Sequence, residues 1–326
     1  MKTIEEFREY YNQALLPGLQ VFEDKRKVIV KKFKLVMILS SACGTAAAVL
    51  LFLFFPHPAA IVIPLILTLI AMAIGYSKLT GSFILDFKNK IIEQIVRFLD
   101  GSLLYNPLDK IAREQFAASR VYEQRIDRYS GEDKVSGSIG KTRIEFSEVH
   151  AEYKTESRDS KGHRKTEWHT IFRGLFFIAD FNKEFKGYTA VLPDIAERML
   201  GSLIGQKLQS FTTAFSKRQL IRLEDPEFEK LFAVYADDQI EARYILTPAL
   251  MRRIMDFSKK NSMGIAMSFI NSNVNIAIPK AKDMFEPRIF HTLLDIRMAE
   301  EYFLDLEMAL SVVDELNLNT RIWTKA

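Results

Sequence analysis

Hydrophobic and polar positions divide this chain into unlike parts. Leu35 to Phe55 reads LVMILSSACGTAAAVLLFLFF, 21 residues without a charge. At about 1.5 Å per residue a helix of that length reaches roughly 30 Å, the thickness of a bilayer's hydrocarbon. A second uncharged run of 18 residues spans 59–76. Pro56-His57-Pro58 lies between them, and two prolines in three residues end one helix and reverse the chain. The pattern predicts a transmembrane helical hairpin, 35–55 and 59–76. A cleaved leader does not fit, because 34 residues precede the first run and no small-residue cleavage pattern follows.

Before the hairpin, Ile4, Phe7, Tyr10, Tyr11, Ala14 and Leu15 keep helical spacing, Pro17-Gly18 interrupts, and the spacing resumes from Leu19. Two helical pieces are expected. After it, apolar positions 84, 87, 91, 95, 98 and 99 predict an amphipathic helix, and Pro107 is expected to open another running to Tyr129.

The period then shortens. Thr142 to Lys154 alternates, with Ile144 and Phe146 of one parity and Val149, Ala151 and Tyr153 of the other. A bulge near Glu148 would account for the flip. Residues 155–167 are polar and read as a hairpin loop. The nearly continuous apolar run 168–181 predicts a central strand covered on both faces. Further strands are expected at 188–192, 220–223 and 228–235, and as a hairpin at 264–271 and 275–278. Helices are expected at 195–209, from Thr247-Pro248 to about Lys259, and from Pro287 to Leu316. Strands in consecutive groups argue for α+β with an antiparallel sheet and a long C-terminal helix. A curved sheet closed by such a helix would be pleckstrin-homology-like, by analogy alone. The organisation expected is 1–34 as a helical segment, 35–76 as the hairpin, 77–130 as a helical connector and 131–326 as the α+β domain.

Charge gives the hairpin a direction. Lys25, Arg26, Lys27, Lys31, Lys32 and Lys34 precede it, Lys78, Lys88, Lys90 and Arg97 follow, and the reversal carries no Lys or Arg. The positive-inside rule then places both termini in the cytoplasm. The cluster 25–34 also suits contact with anionic headgroups. Ser40, Gly44 and Ala48, and Ala71 and Gly75, put small residues at four-residue spacing, which favours close packing within the hairpin over a dimer face. The net charge of +4 is too small to argue for nucleic acid. The single cysteine, Cys43, excludes an intrachain disulfide.

Chemical signatures are sparse. Gly137-Ser138-Ile139-Gly140-Lys141-Thr142 resembles the end of a phosphate loop, but Val135 stands where its first glycine belongs and a strand follows instead of a helix, so a strand-joining turn is expected. His150, His163 and His169 lie in or beside the predicted hairpin, with Glu148 close in sequence. They lack the spacing of a metal site, and no metal or cofactor is assigned. Glu148, His150 and His169 remain the candidates for hydrolytic or metal-dependent chemistry. Asp237-Asp238 and Glu224-Asp225 adjoin turns and read as caps. No Gly-x-Ser-x-Gly elbow is present.

The stretches Ile139–Thr142, Phe146–Tyr153, Trp168–Phe177 and Glu241–Pro248 resemble a bacterial family known only as domain of unknown function 3137. The layout of two membrane helices followed by this domain is similar as well. The resemblance implies a bacterial inner-membrane protein, often beside LemA-type membrane proteins, with no catalytic residues to carry over. Of three readings, a membrane-anchored binding or scaffold module is favoured over an enzyme and over an anionic-lipid sensor.

Overall fold

The computed structural model describes residues 2–158, 164–181, 183–193, 218–260 and 264–319. They divide into two compact units. One comprises Lys2–Ile95 and Phe285–Phe303, and the other Val96–Met284 with the chain from Leu304.

The first unit is helical. Helix α1 (Ile4–Tyr10) opens on a capping box in which Thr3 and Glu6 satisfy each other's backbone amides. A π-helical turn, Tyr11–Leu15, carries the chain directly into α2 (Leu16–Phe54). The break expected at Pro17-Gly18 is therefore absent. The wide turn bonds Leu16 N–H to the Tyr11 carbonyl and places Pro17 in the first turn of α2, where a missing N–H is tolerated. After the reversal, α3 runs Ala59–Phe87 and a second π turn, Lys88–Ile92, leads into α4 (Glu93–Leu99). The amphipathic helix expected at 83–99 thus continues α3.

Both long helices are long and apolar enough to cross a membrane, by length and composition. Their apolar side chains point outward: Leu53 is 73% exposed and Phe54 76%. Pro64 lies inside α3, and the Thr68 hydroxyl donates to its carbonyl at 2.8 Å. A Cβ on Gly44 would collide with the Thr68 hydroxyl, and one on Gly75 would come within 2.8 Å of Val36. The small residues therefore serve packing of α2 on α3. Below the apolar runs, Phe22 packs edge-on against Phe83 and Phe87.

The second unit is built on a nine-stranded antiparallel sheet. Its strands are β1 (Leu104–Asn106), β2 (Arg128–Ile139), β3 (Thr142–Arg158), β4 (Arg164–Asp180), β5 (Thr189–Pro193), β6 (Gln219–Ile221), β7 (Phe232–Ala236), β8 (Ala266–Ile270) and β9 (Asn273–Pro279). The spatial order is β1-β2-β3-β4-β9-β8-β5-β7-β6. Among the described residues, four helices accompany it: α5 (Arg113–Ser119), α6 (Pro226–Glu229), α7 (Gln239–Ile245) and α8 (Pro248–Lys260). A fifth, α9 (Ile296–Glu315), begins in the first unit and ends in the second. The fold is α+β.

Several local expectations are corrected. The helix expected from Pro107 to Tyr129 reduces to α5, because Arg120 turns left-handed (φ 55°) and ends it, and β2 begins at Arg128. The polar stretch 155–167 is largely strand, since β3 and β4 stay paired out to Arg158 and Arg164. Residues 228–235 divide into α6, capped by Asp225, and β7. The last helix starts at Ile296, where Asp295 accepts from the Arg297 amide at 3.1 Å. The helix expected at 195–209 lies outside the described residues. The hairpin across Asn271-Ser272 forms as expected, both residues having positive φ.

One apolar cluster covers a sheet face. Phe116 of α5 belongs to it, 4.7 Å from Phe176 and 6.0 Å from Phe172 between ring centroids, together with Val149, Ala151, Ala190 and Ala277. Phe146 and Phe177 are also fully buried and stack on each other at 6.0 Å. Strand β4 is thus covered on both faces, as its continuous apolar run predicts.

Candidate functional site

Glu148 occupies a position that the strand pattern reserves for an apolar group. It shares the parity of Ile144 and Phe146, both buried, yet it is a carboxylate only 8% exposed. The parity flip in β3 therefore reflects a strand covered on both faces. A register shift does fall at Glu148, as expected, but its extra residue is in β2, between Glu132 and Val135; a second shift lies between Ala151 and Glu152.

The β2 shift shapes the site. Asp133 adopts φ 60°, donates its amide to the Pro107 carbonyl at 3.2 Å, and is buried. Its carboxylate accepts a short hydrogen bond from the Tyr105 hydroxyl. One carboxylate oxygen from each of Glu132, Asp133 and Glu148 lies within 4.8 Å of the others, a grouping that could hold a hard cation. The Met284 amide donates to Glu148 Oε1 at 2.6 Å. Burial pushes the Glu148 carboxyl up to about 8, and the carboxylates of Asp133, Asp283 and Glu132 add to the rise while the Met284 amide opposes it. Burial likewise pushes the Tyr105 hydroxyl up.

Glu132, Glu148 and Asp283 line a cleft of about 260 Å³ formed by β2, β3, β4 and the chain after β9. Cations face the carboxylates across it. Arg173 pairs with Asp283 at 2.9 Å, Lys280 with Asp305 at 2.7 Å, and Lys282 is exposed at the rim. His150, opposite Arg173 in register, also lines the cleft, with Nε2 3.8 Å from Glu152. Gly174 has φ 149°, and a Cβ there would strike the Ile278 carbonyl and approach the Lys280 amide to 2.6 Å.

Two sequence candidates, Glu148 and His150, therefore meet in one cleft. His169 does not line it: its ring stacks on Tyr153 at 4.9 Å and contacts the Thr155 hydroxyl at 2.8 Å. His163 lies outside the described residues. The glycine-rich stretch 137–142 is the β2–β3 turn, held by Asn319, which accepts from the Lys141 amide and the Thr142 hydroxyl. Asp225 and Asp238 are helix caps, as expected. Sequence pattern does not single out Arg173, Lys280 and Asp283, because strand register brings them into the cleft with Glu148. Of the basic cluster, Arg26 is engaged with Glu23 at 2.7 Å and with the Ile289 carbonyl at 2.9 Å. Lys27 lies 3.6 Å from Asp24, and Lys25 sits over the Phe22 ring. Lys31, Lys32 and Lys34 are exposed.

Residues 170–318 match the family model described as protein of unknown function (DUF3137). The match begins inside β4, so it takes in Arg173, Gly174, Lys280 and Asp283, whereas Glu132, Asp133, Glu148 and His150 precede it. The cleft is built from both sides of that boundary. No curated protein matches the chain. Among solved structures, the chain is similar to the mycobacterial trehalose monomycolate transport factor A, TtfA. The identity is 8% and the TM-score 0.31, over 68% of this chain and 96% of that one. That likeness is too slight to carry an argument.

Proposed function

We propose that this protein is a membrane-anchored module whose DUF3137 domain binds a small polar ligand or a partner segment at the Glu148 cleft. The observation that carries the anchor is the outward-facing apolar surface of α2 and α3, with Leu53 and Phe54 about three-quarters exposed. Such a surface is costly in water and suits lipid. The Lys and Arg bias favours residues before Leu35 and after Tyr76 on the cytoplasmic side of a bacterial inner membrane. The cleft presents carboxylates and cations together, which suits an occupant bearing both signs of charge. A LemA-type membrane protein is the partner suggested by the family resemblance. Lys31, Lys32 and Lys34 suit anionic headgroups.

A hydrolytic reading keeps Glu148, whose raised pKa fits a proton donor near neutral pH, and His150, but it loses His169. The test is capture from native membranes with the full chain, alongside a Glu148→Lys/Arg173→Glu variant shown to be folded by its circular dichroism. A species retained by the wild type and lost by the variant supports the binding reading. Identical capture by both sinks it. Turnover on a metabolite panel that disappears in Glu148→Gln and His150→Ala would favour the enzyme.

A further inference from the structure

We infer that the segment 285–295 makes a third contact with the bilayer, placing Phe290 and Leu294 in the interfacial layer beside the two helices. This rests on the reading of α2 and α3 as membrane spans. The segment has no regular structure, yet it is tied down at several points. Arg26 Nη1 donates to the Ile289 carbonyl at 2.9 Å, the Leu293 amide donates to Glu23 Oε2 at 3.0 Å, and the Tyr11 hydroxyl donates to the Leu294 carbonyl at 3.0 Å. Ile289 and Leu293 are buried, whereas Phe290 is 58% exposed and Leu294 also faces outward.

Phe290 is not placed at random. Its ring stacks on Tyr76 at 6.0 Å and lies 6.0 Å from Phe33, and those two rings pack edge-on at 5.4 Å. Phe33 stands two residues before the first uncharged run, and Tyr76 is the last residue of the second. The three rings thus mark one level, the cytoplasmic end of both apolar stretches. Aromatic side chains concentrate at that level of a bilayer. Lys31, Lys32, Lys34 and Lys78 are exposed around the same level and suit anionic headgroups. A soluble partner covering Phe290 would have to occupy the space of the headgroups, so the continuity of the aromatic cluster with the spans selects lipid as the occupant.

The test uses the full chain in vesicles of mixed phosphatidylcholine and phosphatidylglycerol. A nitroxide label is placed at Phe290→Cys, and separately at Leu294→Cys, in a Cys43→Ser background. Collision with oxygen is compared with collision with a water-soluble nickel complex. The native Cys43 serves as the deep control and Lys165→Cys, on an exposed strand end, as the aqueous control. The expected oxygen-to-nickel ratio at 290 and 294 is several-fold above that at 165 and below that at 43. A ratio at both positions equal to that at 165, with Cys43 still deep, overturns this contact and leaves the spans standing. An aqueous ratio at Cys43 itself overturns the membrane reading instead.

Discussion

The Met284 amide points at Glu148 Oε1 from 2.6 Å, so a backbone group just beyond β9 holds the one acidic side chain on the buried face of β3. An amide donor favours the charged carboxylate, yet burial among other carboxylates prevails and the group stays protonated to about pH 8.

Stability should therefore depend on pH through Glu148. Its pKa is raised on folding from 4.5 to about 8, so the folded state holds the extra proton between those values. The contribution is full below about pH 4.5 and is lost as pH rises to about 8, by at most about 1.4 kcal/mol per pH unit. Glu148→Gln keeps an acceptor for Met284 and removes the titration. Denaturation of the full chain in detergent at a series of pH values should show a falling limb in the wild type that the variant lacks. Infrared spectroscopy should show a protonated-carboxyl band near neutral pH that disappears in Glu148→Gln.

Gly174→Ala should cost about 3 kcal/mol, because the new Cβ meets backbone that cannot move aside and the residue must keep φ 149°. Gly174 pairs with Pro279, so the damage falls where β4 meets β9 and beside the cleft. Thermal unfolding measures it. An unchanged midpoint would show that β9 can shift.

Glu23→Ala should destabilise the helical unit by about 3 kcal/mol. It strands the Arg26 guanidinium, whose side chain is 12% exposed, and removes the acceptor for the Leu293 amide. Hydrogen–deuterium exchange at 289–294 should rise with it. Arg26→Ala should show the same regional increase.

Gly44→Ala should lower the melting temperature in micelles, since a single methyl group already collides with Thr68 across the helix pair. Gly81→Ala on α3 provides the contrast. Its Cβ meets nothing, so helix propensity alone should leave stability unchanged or raise it by up to about 1 kcal/mol. Equal behaviour of the two variants would remove the packing role given to Gly44.

What the sequence discloses depends on how local the cause is. The apolar runs ending at Phe55 and Tyr76 announce helices because their whole signal lies within one stretch. Strand β2 announces nothing. Arg128 to Ile139 is polar, with Val135 its one fully buried apolar side chain, and it is a strand because β1 and β3 flank it. The same holds for the candidate site. Glu148 stands out as a polar residue in an apolar parity, whereas Asp133 depends on a left-handed residue in β2, and Arg173 and Asp283 meet only through pairing of distant strands. His169 lies in the same predicted hairpin as His150, but pairing with Tyr153 holds it elsewhere. The start of α9 is not legible, because Ile289 and Leu293 keep helical spacing although both lie in turns of irregular chain.

The strand order has a consequence for how the molecule is made. Strands β1 to β4 pair with sequence neighbours and can form as they are synthesised. Beyond them, β4 must wait for β9, and β5 for β8, partners that leave the ribosome much later. If the apolar hairpin has by then entered the bilayer, the sheet closes on a chain already tethered at one end. The late-arriving β8–β9 hairpin then acts as the keystone of a domain whose two halves are assembled at the membrane surface, with the unpaired edges of β4 and β5 exposed until it arrives.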